Sequence, residues 1–397
     1  MTINVLAVTL GRVLARGAAV TLTISTLTLG ALTLSACSDD NAVSQNQLTT
    51  VSTDPAPVKA QVVLKVGYEN KPGEPFDIGM QRWKEELEQR SGGTMTLELY
   101  PNSALGTKNQ IIDRMRQGEP VVTLADGAVY YNYGAYDMGI TFGPFLFKNW
   151  DEAFHLVNSK WFSGLSDKMA QEQGIRIISS NWAYGLRHIL SKKPINSPED
   201  LKGMRIRVPG NAIQTNSFKI YGAIPVNMEL NQVNAALQNN EIDALENPIP
   251  TLQAGGFHKY APYLTLTGHV YTVTNLIMSE RIWNGLSTSQ QQMLRDSCNR
   301  AAKFANIVQA AFEYSKLQQM IAEGTHVVEP SPKLLNSLIS TSRSFYVLPE
   351  FYAKWTPGLY FKVLSAKAIP ISFYSNSPHQ KRIQQRLQAA RDAQQAQ

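Results

Sequence analysis

The chain has 397 residues, 37 basic against 31 acidic side chains and a formal net charge of +6, and its length leaves room for two lobes around sizeable cores. The basic excess sits at the ends. Arg12 and Arg16 lie near the start, and Lys381, Arg382, Arg386 and Arg391 face only Asp392 near the finish, so the nearly neutral body carries no electrostatic footprint for nucleic acid.

In chain order, the basic stretch at Arg12 and Arg16 is followed by an uncharged run, Gly17 to Ala36, closing on Leu34, Ser35, Ala36 and Cys37. The run approaches the ~20 residues that span a bilayer, which keeps a membrane anchor open as an alternative. Threonines dilute it, however, and small residues precede the cysteine, so residues 1–36 look like a bacterial lipoprotein signal peptide. Cys37 is then the lipidation point, and the expected location is the periplasm, as a membrane-anchored lipoprotein. Residues 37–61 are polar, contain Asp54-Pro55-Ala56-Pro57 and lack an apolar period, as a flexible tether with a reach of about 25 Å would. With Cys37 lipidated, Cys298 has no partner and no disulfide follows.

The expected body covers 62–377. Val62 to Val66 predicts a buried strand, and Ile78, Trp83 and Leu87 share a helix face that Gly92-Gly93 ends. A strand at Met95 to Tyr100, a helix at Thr107 to Arg116 and a strand at Val121 to Leu124 complete a β-α-β-α-β order, the mark of an α/β lobe with a largely parallel sheet. A second run gives strands at Ile175 to Ser179 and Leu186 to Leu190, then a helix start at Ser197-Pro198-Glu199-Asp200. That start delivers Met204 to Val208 as a strand with Arg205 and Arg207 on one face. Thr288 to about Ala322 predicts a long scaffold helix with a solvated polar outer face. Residues 378–397 form a basic, Gln-rich tail.

Arg207 and Asn247 carry most of the functional information. A guanidinium is planar, permanently charged and forked to fit one carboxylate, so an arginine held on a strand suits capture of an organic anion. Pairing with a protein carboxylate is the ordinary alternative for such a residue, and Asn247 before Pro248 equally suits a turn.

The order GLRHILSKKPINSPEDLKGMRIRVPGN, YGAIPVNMELNQVNAALQNNEIDALENP and FHKYAPYLTLTGH resembles the DctP-type solute-binding proteins of tripartite ATP-independent periplasmic (TRAP) transporters. SGGTMTLELYPNSALG, GPFLF and IWNGLSTSQQQML match as well, so the resemblance covers most of Val62 to about Pro370. It implies an α/β, two-lobed periplasmic-binding-protein architecture with crossing strands and a long connecting helix. The first lobe falls mainly in 62–185 and the second mainly in 186–275, with later segments shared. It implies capture of a small organic anion by lobe closure, and delivery to the small and large integral membrane subunits of a TRAP transporter. By position, Arg207 matches the arginine that pairs with the ligand carboxylate, Arg187 a second pocket arginine, and Asn247 the asparagine that completes the cage. Asn211 sits one residue beyond its usual place. Leu230, Gln232 and Asn234 replace a common aromatic, glutamate and tyrosine, which alters the anion that fits.

Arg205 is expected to be structural, Asp243 and Glu246 solvated or capping, and Phe142, Phe145, Trp182 and Tyr184 either pocket or core. His188 is expected to face away from its neighbour Arg187. A ligand sensor that feeds no permease would show the same pocket. An exported α/β enzyme is disfavoured, because the chain has no G-x-S-x-G, H-E-x-x-H or Walker loop. No catalytic residue, metal or cofactor is expected.

Overall fold

The computed structural model describes residues 61–368; the expected signal, its Cys37, the tether up to residue 60, the last residues of the body and the tail lie outside them. Val62–Gly67 forms β1, whose Leu64 and Val66 are buried. Pro75–Ser91 forms α1: proline occupies its first turn, Met80, Trp83 and Leu87 bury one face, and Gly92 ends it in the left-handed conformation. Met95–Tyr100 (β2), Lys108–Arg116 (α2, entered through a Thr107/Gln110 capping box) and Val121–Ala125 (β3) follow, with β2 and β3 both parallel to β1.

Two strands of 17 residues each, Ile175–Ser191 (β4) and Tyr263–Ser279 (β8), run antiparallel through the middle of the sheet. Beyond β4 lie Arg205–Val208 (β5), Ala212–Lys219 (helix α4), Ile224–Asn227 (β6), Ala244–Pro248 (β7) and Ile249–Gly255 (helix α5). Between α2 and α4, Gly127–Asn132 forms the short helix α3. The sheet order is β2-β1-β3-β8-β4-β7-β5-β6, with His326–Val328 (β9) paired to β8. Pairing is parallel within each half and antiparallel at β3–β8, β4–β8 and β4–β7, so two α/β halves share a pair of crossing strands.

Two expectations need correction. The separate strands at Ile175 to Ser179 and Leu186 to Leu190 are one strand, β4, whose register against β8 shifts at four places. The polar residues between the two apolar runs conceal this continuity, because the bulged stretch does not alternate. Gly185 is one such point, at φ +136°, where an added Cβ would lie 2.5 Å from Pro248 Cβ. Gly185→Ala is therefore expected to cost about 3 kcal/mol or more, from strain and overpacking together, readable by denaturant unfolding.

The second correction concerns Thr288–Ala322 (α6), a single 35-residue helix packed on α1, β4 and α5. Its inner face buries Leu294, Cys298, Ala301, Ala302 and Ala305, and the Cys298 thiol is free. Its outer face is not simply polar: Phe304, Ile307, Tyr314 and Ile321 are exposed. No helix among the described residues is long and apolar enough to cross a membrane.

Candidate functional site

The loops that leave the carboxyl ends of β1, β3, β5 and β6 converge over the crossing strands, where an open α/β sheet places its ligand crevice. They bring Glu69, Asp126, Pro209 and Leu230 to one cleft, with Lys108 from the start of α2, Gln214 from the first turn of α4, Tyr184 and Arg187 from β4, Asn247 from β7 and Thr274 from β8. The cleft holds about 470 Å³, open solvent included. Hydrogen bonds bridge its two sides: Lys71 Nζ donates to the Ala254 carbonyl at 3.0 Å, and Thr251 Oγ1 donates to the Glu74 carboxylate at 3.1 Å.

Arg187 is in the cleft but is not free. Its Nε and one terminal nitrogen grip both oxygens of Glu246, and that nitrogen also donates to the Glu246 backbone carbonyl at 3.0 Å. Phe142 lies beneath, its ring centre 5.6 Å from the guanidinium carbon. Glu246 also accepts from Gln214 Nε2 at 2.8 Å and lies 3.3 Å from His269 Nε2. Burial opposes ionisation of Glu246, but Arg187 and His269 outweigh it and hold its carboxyl down to about 2. The expectation of a solvated or capping Glu246 is therefore overturned: its side chain is 1% exposed and orients Arg187. His188 takes no part in this network; its Nδ1 accepts the Gly268 amide at 3.1 Å, and burial, then His269, pushes its pKa down to about 3, leaving the ring neutral.

Arg207 contrasts with Arg187. It is 4% exposed, yet among the described residues it meets no carboxylate at ion-pair distance. Its Nε donates to the Met228 carbonyl at 3.0 Å, which fixes the plane of the guanidinium and leaves the terminal nitrogens for the cleft. Burial lowers its pKa from the ordinary arginine value against the more distant charges of Glu69 and Glu246, with Arg187 adding to the shift, although an arginine stays protonated in any case. Arg205, two residues earlier, is held by Asp243 at 2.7 Å at the surface, the structural role expected of it.

Asn247 and Leu230 line the cleft beside Arg207. Asn211 has a different position: it caps α4, its Oδ1 accepting the Gln214 amide at 2.8 Å while its Nδ2 donates to Gln214 Oε1 at 2.6 Å. Asn211 thus positions Gln214, which lines the cleft. Phe142 and Tyr184 also line it, whereas Trp182 packs in the core and Phe145 against the apolar cluster around Ile206.

The opposite wall was not anticipated. Lys108 Nζ lies 3.5 Å from Glu69, and despite burial the carboxylates of Glu69 and Asp126 raise its pKa. Asp126 caps α3, accepting the Ala128 and Val129 amides, and burial raises its pKa in spite of Lys108. No motif marks these residues; each is the first polar side chain after a strand or at a helix start, and only the sheet order brings them to the arginines. Glu69 and Leu230 also border a second open space of about 600 Å³, open solvent included, lined by Asn231, Asn234, Thr251 and Glu74.

Two α/β halves on crossing strands, with a buried cation in the cleft that meets no carboxylate at ion-pair distance among the described residues, fit a solute-binding protein of the two-lobed type. The chain belongs to the family of bacterial extracellular solute-binding proteins, family 7 (DctP), whose model matches residues 66–354. It is similar to a TRAP periplasmic solute-binding protein from Ochrobacterium anthropi with bound L-fuconate: 35% identical, TM-score 0.73, covering 78% of this chain and 100% of that one. A TRAP periplasmic solute-binding protein from Actinobacillus succinogenes with bound L-galactonate is 29% identical, TM-score 0.73, covering 77% and 99%. The sialic acid-binding periplasmic protein SiaP of Vibrio cholerae is 27% identical over 313 residues, covering 78% of this chain and 90% of that protein. The family is one of binding proteins rather than enzymes.

Proposed function

We propose that this chain is the extracytoplasmic receptor of a TRAP transporter, and that its solute is a polyhydroxylated monocarboxylate of the sugar-acid kind. The observation that carries this reading is the charge balance of the cleft. Arg187 is paired with Glu246 and Lys108 with Glu69, and Asp126 accepts the amides that begin α3, which leaves Arg207 as the buried cation without a carboxylate at ion-pair distance among the described residues, free to meet an incoming carboxylate. In this reading the ligand carboxylate takes two donors from Arg207, the amide of Asn247 and the remaining face of Arg187. Glu69, Asp126, Gln214, Thr274 and Tyr184 suit hydroxyl groups, and the two carboxylates among them, Glu69 and Asp126, disfavour a second carboxylate. The sugar acids bound to similar proteins support the same class.

Closure supplies the selectivity: the closed form gains population only through contacts that the open form lacks. Residues 1–36 serve as signal peptide, Cys37 as the lipid attachment and 37–61 as a tether that holds the lobes off the membrane, within reach of the small and large membrane subunits. The lobes divide mainly into 62–185 and 186–275, and the charged tail at 378–397 follows them.

A thermal-shift screen of the full-length protein tests this reading, because a ligand of the native state raises the melting point by mass action. Sugar monoacids are expected to shift it. Dicarboxylates and neutral sugars are expected to leave it unmoved, and a shift confined to either of them would refute the charge-balance argument.

A further inference from the structure

Tyr184 and Arg187 both line the cleft, yet they stand three residues apart on β4, and a regular strand would turn them to opposite faces. The register shows how they come to share the cleft. Ala183 faces Val273 of β8 and Gly185 faces Thr272, so β4 carries one residue more than β8 at this point, and that residue is Tyr184. A bulge of this kind re-aims the side chains around it and leaves backbone groups outside the ladder. On the other edge of β4, β7 pairs only from Arg187 onward.

Helix α6 supplies the missing partners. Asn306 Oδ1 accepts the Ala183 amide at 2.7 Å, and its Nδ2 donates to the Asn181 carbonyl at 2.9 Å. A Glu313 carboxylate oxygen accepts the Leu186 amide at 3.0 Å and Gln309 Nε2 at 3.3 Å. The two amide bonds bracket Tyr184, one on each side. Asn299, seven residues before Asn306 as Asn306 is before Glu313, lies on the same side of the helix and accepts from Ser179 Oγ at 2.7 Å and Asn181 Nδ2 at 3.1 Å. Gly185 lets the helix come this close, since a Cβ there would lie 2.6 Å from Gln309 Nε2.

We propose that Asn306 and Glu313 are positioning residues of the solute cleft: they hold the Tyr184 bulge in the backbone path that brings Tyr184 and Arg187 to the cleft together. Neither lines the cleft itself. Without the clamp the extra residue is free to migrate along β4, and each one-residue slip turns the side chains it passes to the other face. The inference rests on the cleft being the solute site.

Two measurements on the full-length protein test it: amide hydrogen exchange without solute, and calorimetric titration with L-fuconate, or with the sugar monoacid of largest thermal shift if another exceeds it. Glu313→Leu should speed exchange of the Leu186 amide and lower affinity, each by at least about tenfold. Glu313→Gln keeps an acceptor oxygen and should restore both. In a Tyr184→Ala background Glu313→Leu should cost clearly less affinity, whereas general damage to the fold would cost the same in both. Asn306→Ala repeats the test at the Ala183 amide, should Glu313→Leu fail to fold. Unchanged exchange overturns the clamp. Faster exchange with native affinity overturns the positioning role, as does an equal loss in the two backgrounds. Native affinity in Arg207→Met would instead refute the cleft reading, and the positioning role with it.

Discussion

Replacing Arg207 with methionine is expected to lower solute affinity by at least about 100-fold while leaving the ligand-free protein as stable as before, or more so. Two charge-assisted hydrogen bonds to a carboxylate contribute about 1.5–3 kcal/mol each, and both are lost. Stability behaves differently because Arg207 is buried at 4% exposure with one hydrogen bond to a backbone carbonyl and no ion-pair partner among the described residues. A buried charge without a partner carries a desolvation cost that the empty protein bears, so an apolar side chain of similar length relieves it. Calorimetric titration together with chemical unfolding reads both quantities. A variant that bound normally would remove Arg207 from the site, and one that failed to fold would make it a structural residue.

Glu246→Gln should show the opposite balance, with a loss of about 3–5 kcal/mol of stability, because Arg187 is then left buried with its charge unmatched. Acidity offers a second view of the same pair. The Glu246 carboxyl titrates at about 2 in the folded protein, against an ordinary value of 4.5. A depressed folded pKa contributes stability that is complete above the ordinary value and is lost as pH falls toward about 2. That contribution is on the order of 3 kcal/mol. Glu74 and Asp126 have raised pKa values, chiefly from burial, so their contributions run with the opposite sign. Unfolding followed from pH 4.5 to about 2 should therefore lose stability in the native protein, with a shallower slope in Glu246→Gln. An identical acid limb in both proteins would mean that Glu246 is not the titrating group.

The sequence disclosed the α/β halves because strand and helix periods there are clean: Leu64 and Val66 alternate, and Trp83 and Leu87 recur at helical spacing. It concealed β4, whose bulges around Gly185 interrupt alternation over the stretch that carries Tyr184 and Arg187. Arg207, Asn247 and Leu230 were legible as cleft residues because they sit inside motif blocks, on or just after short strands. Asn211 was read as a pocket asparagine one residue beyond its usual place, and its geometry is that of a cap that aims Gln214. The pairing of Arg187 with Glu246, 59 residues apart, depends on β4 and β7 being neighbours, which no local pattern states. Glu69, Lys108 and Asp126 were hidden for the same reason. The exposed apolar residues of α6 were missed because its inner and outer faces both carry apolar residues, so periodicity alone does not say which one the core takes.

The most direct test of the central claim is a calorimetric titration of the full-length protein with the best sugar acid from the screen and with its reduced counterpart, in which the carboxylate has become a primary alcohol. If Arg207 and Asn247 form a carboxylate site, the acid binds and the alcohol binds at least about 100-fold more weakly. Equal affinity for the two would contradict the account, because the cleft would then be recognising hydroxyl groups with Arg207 idle.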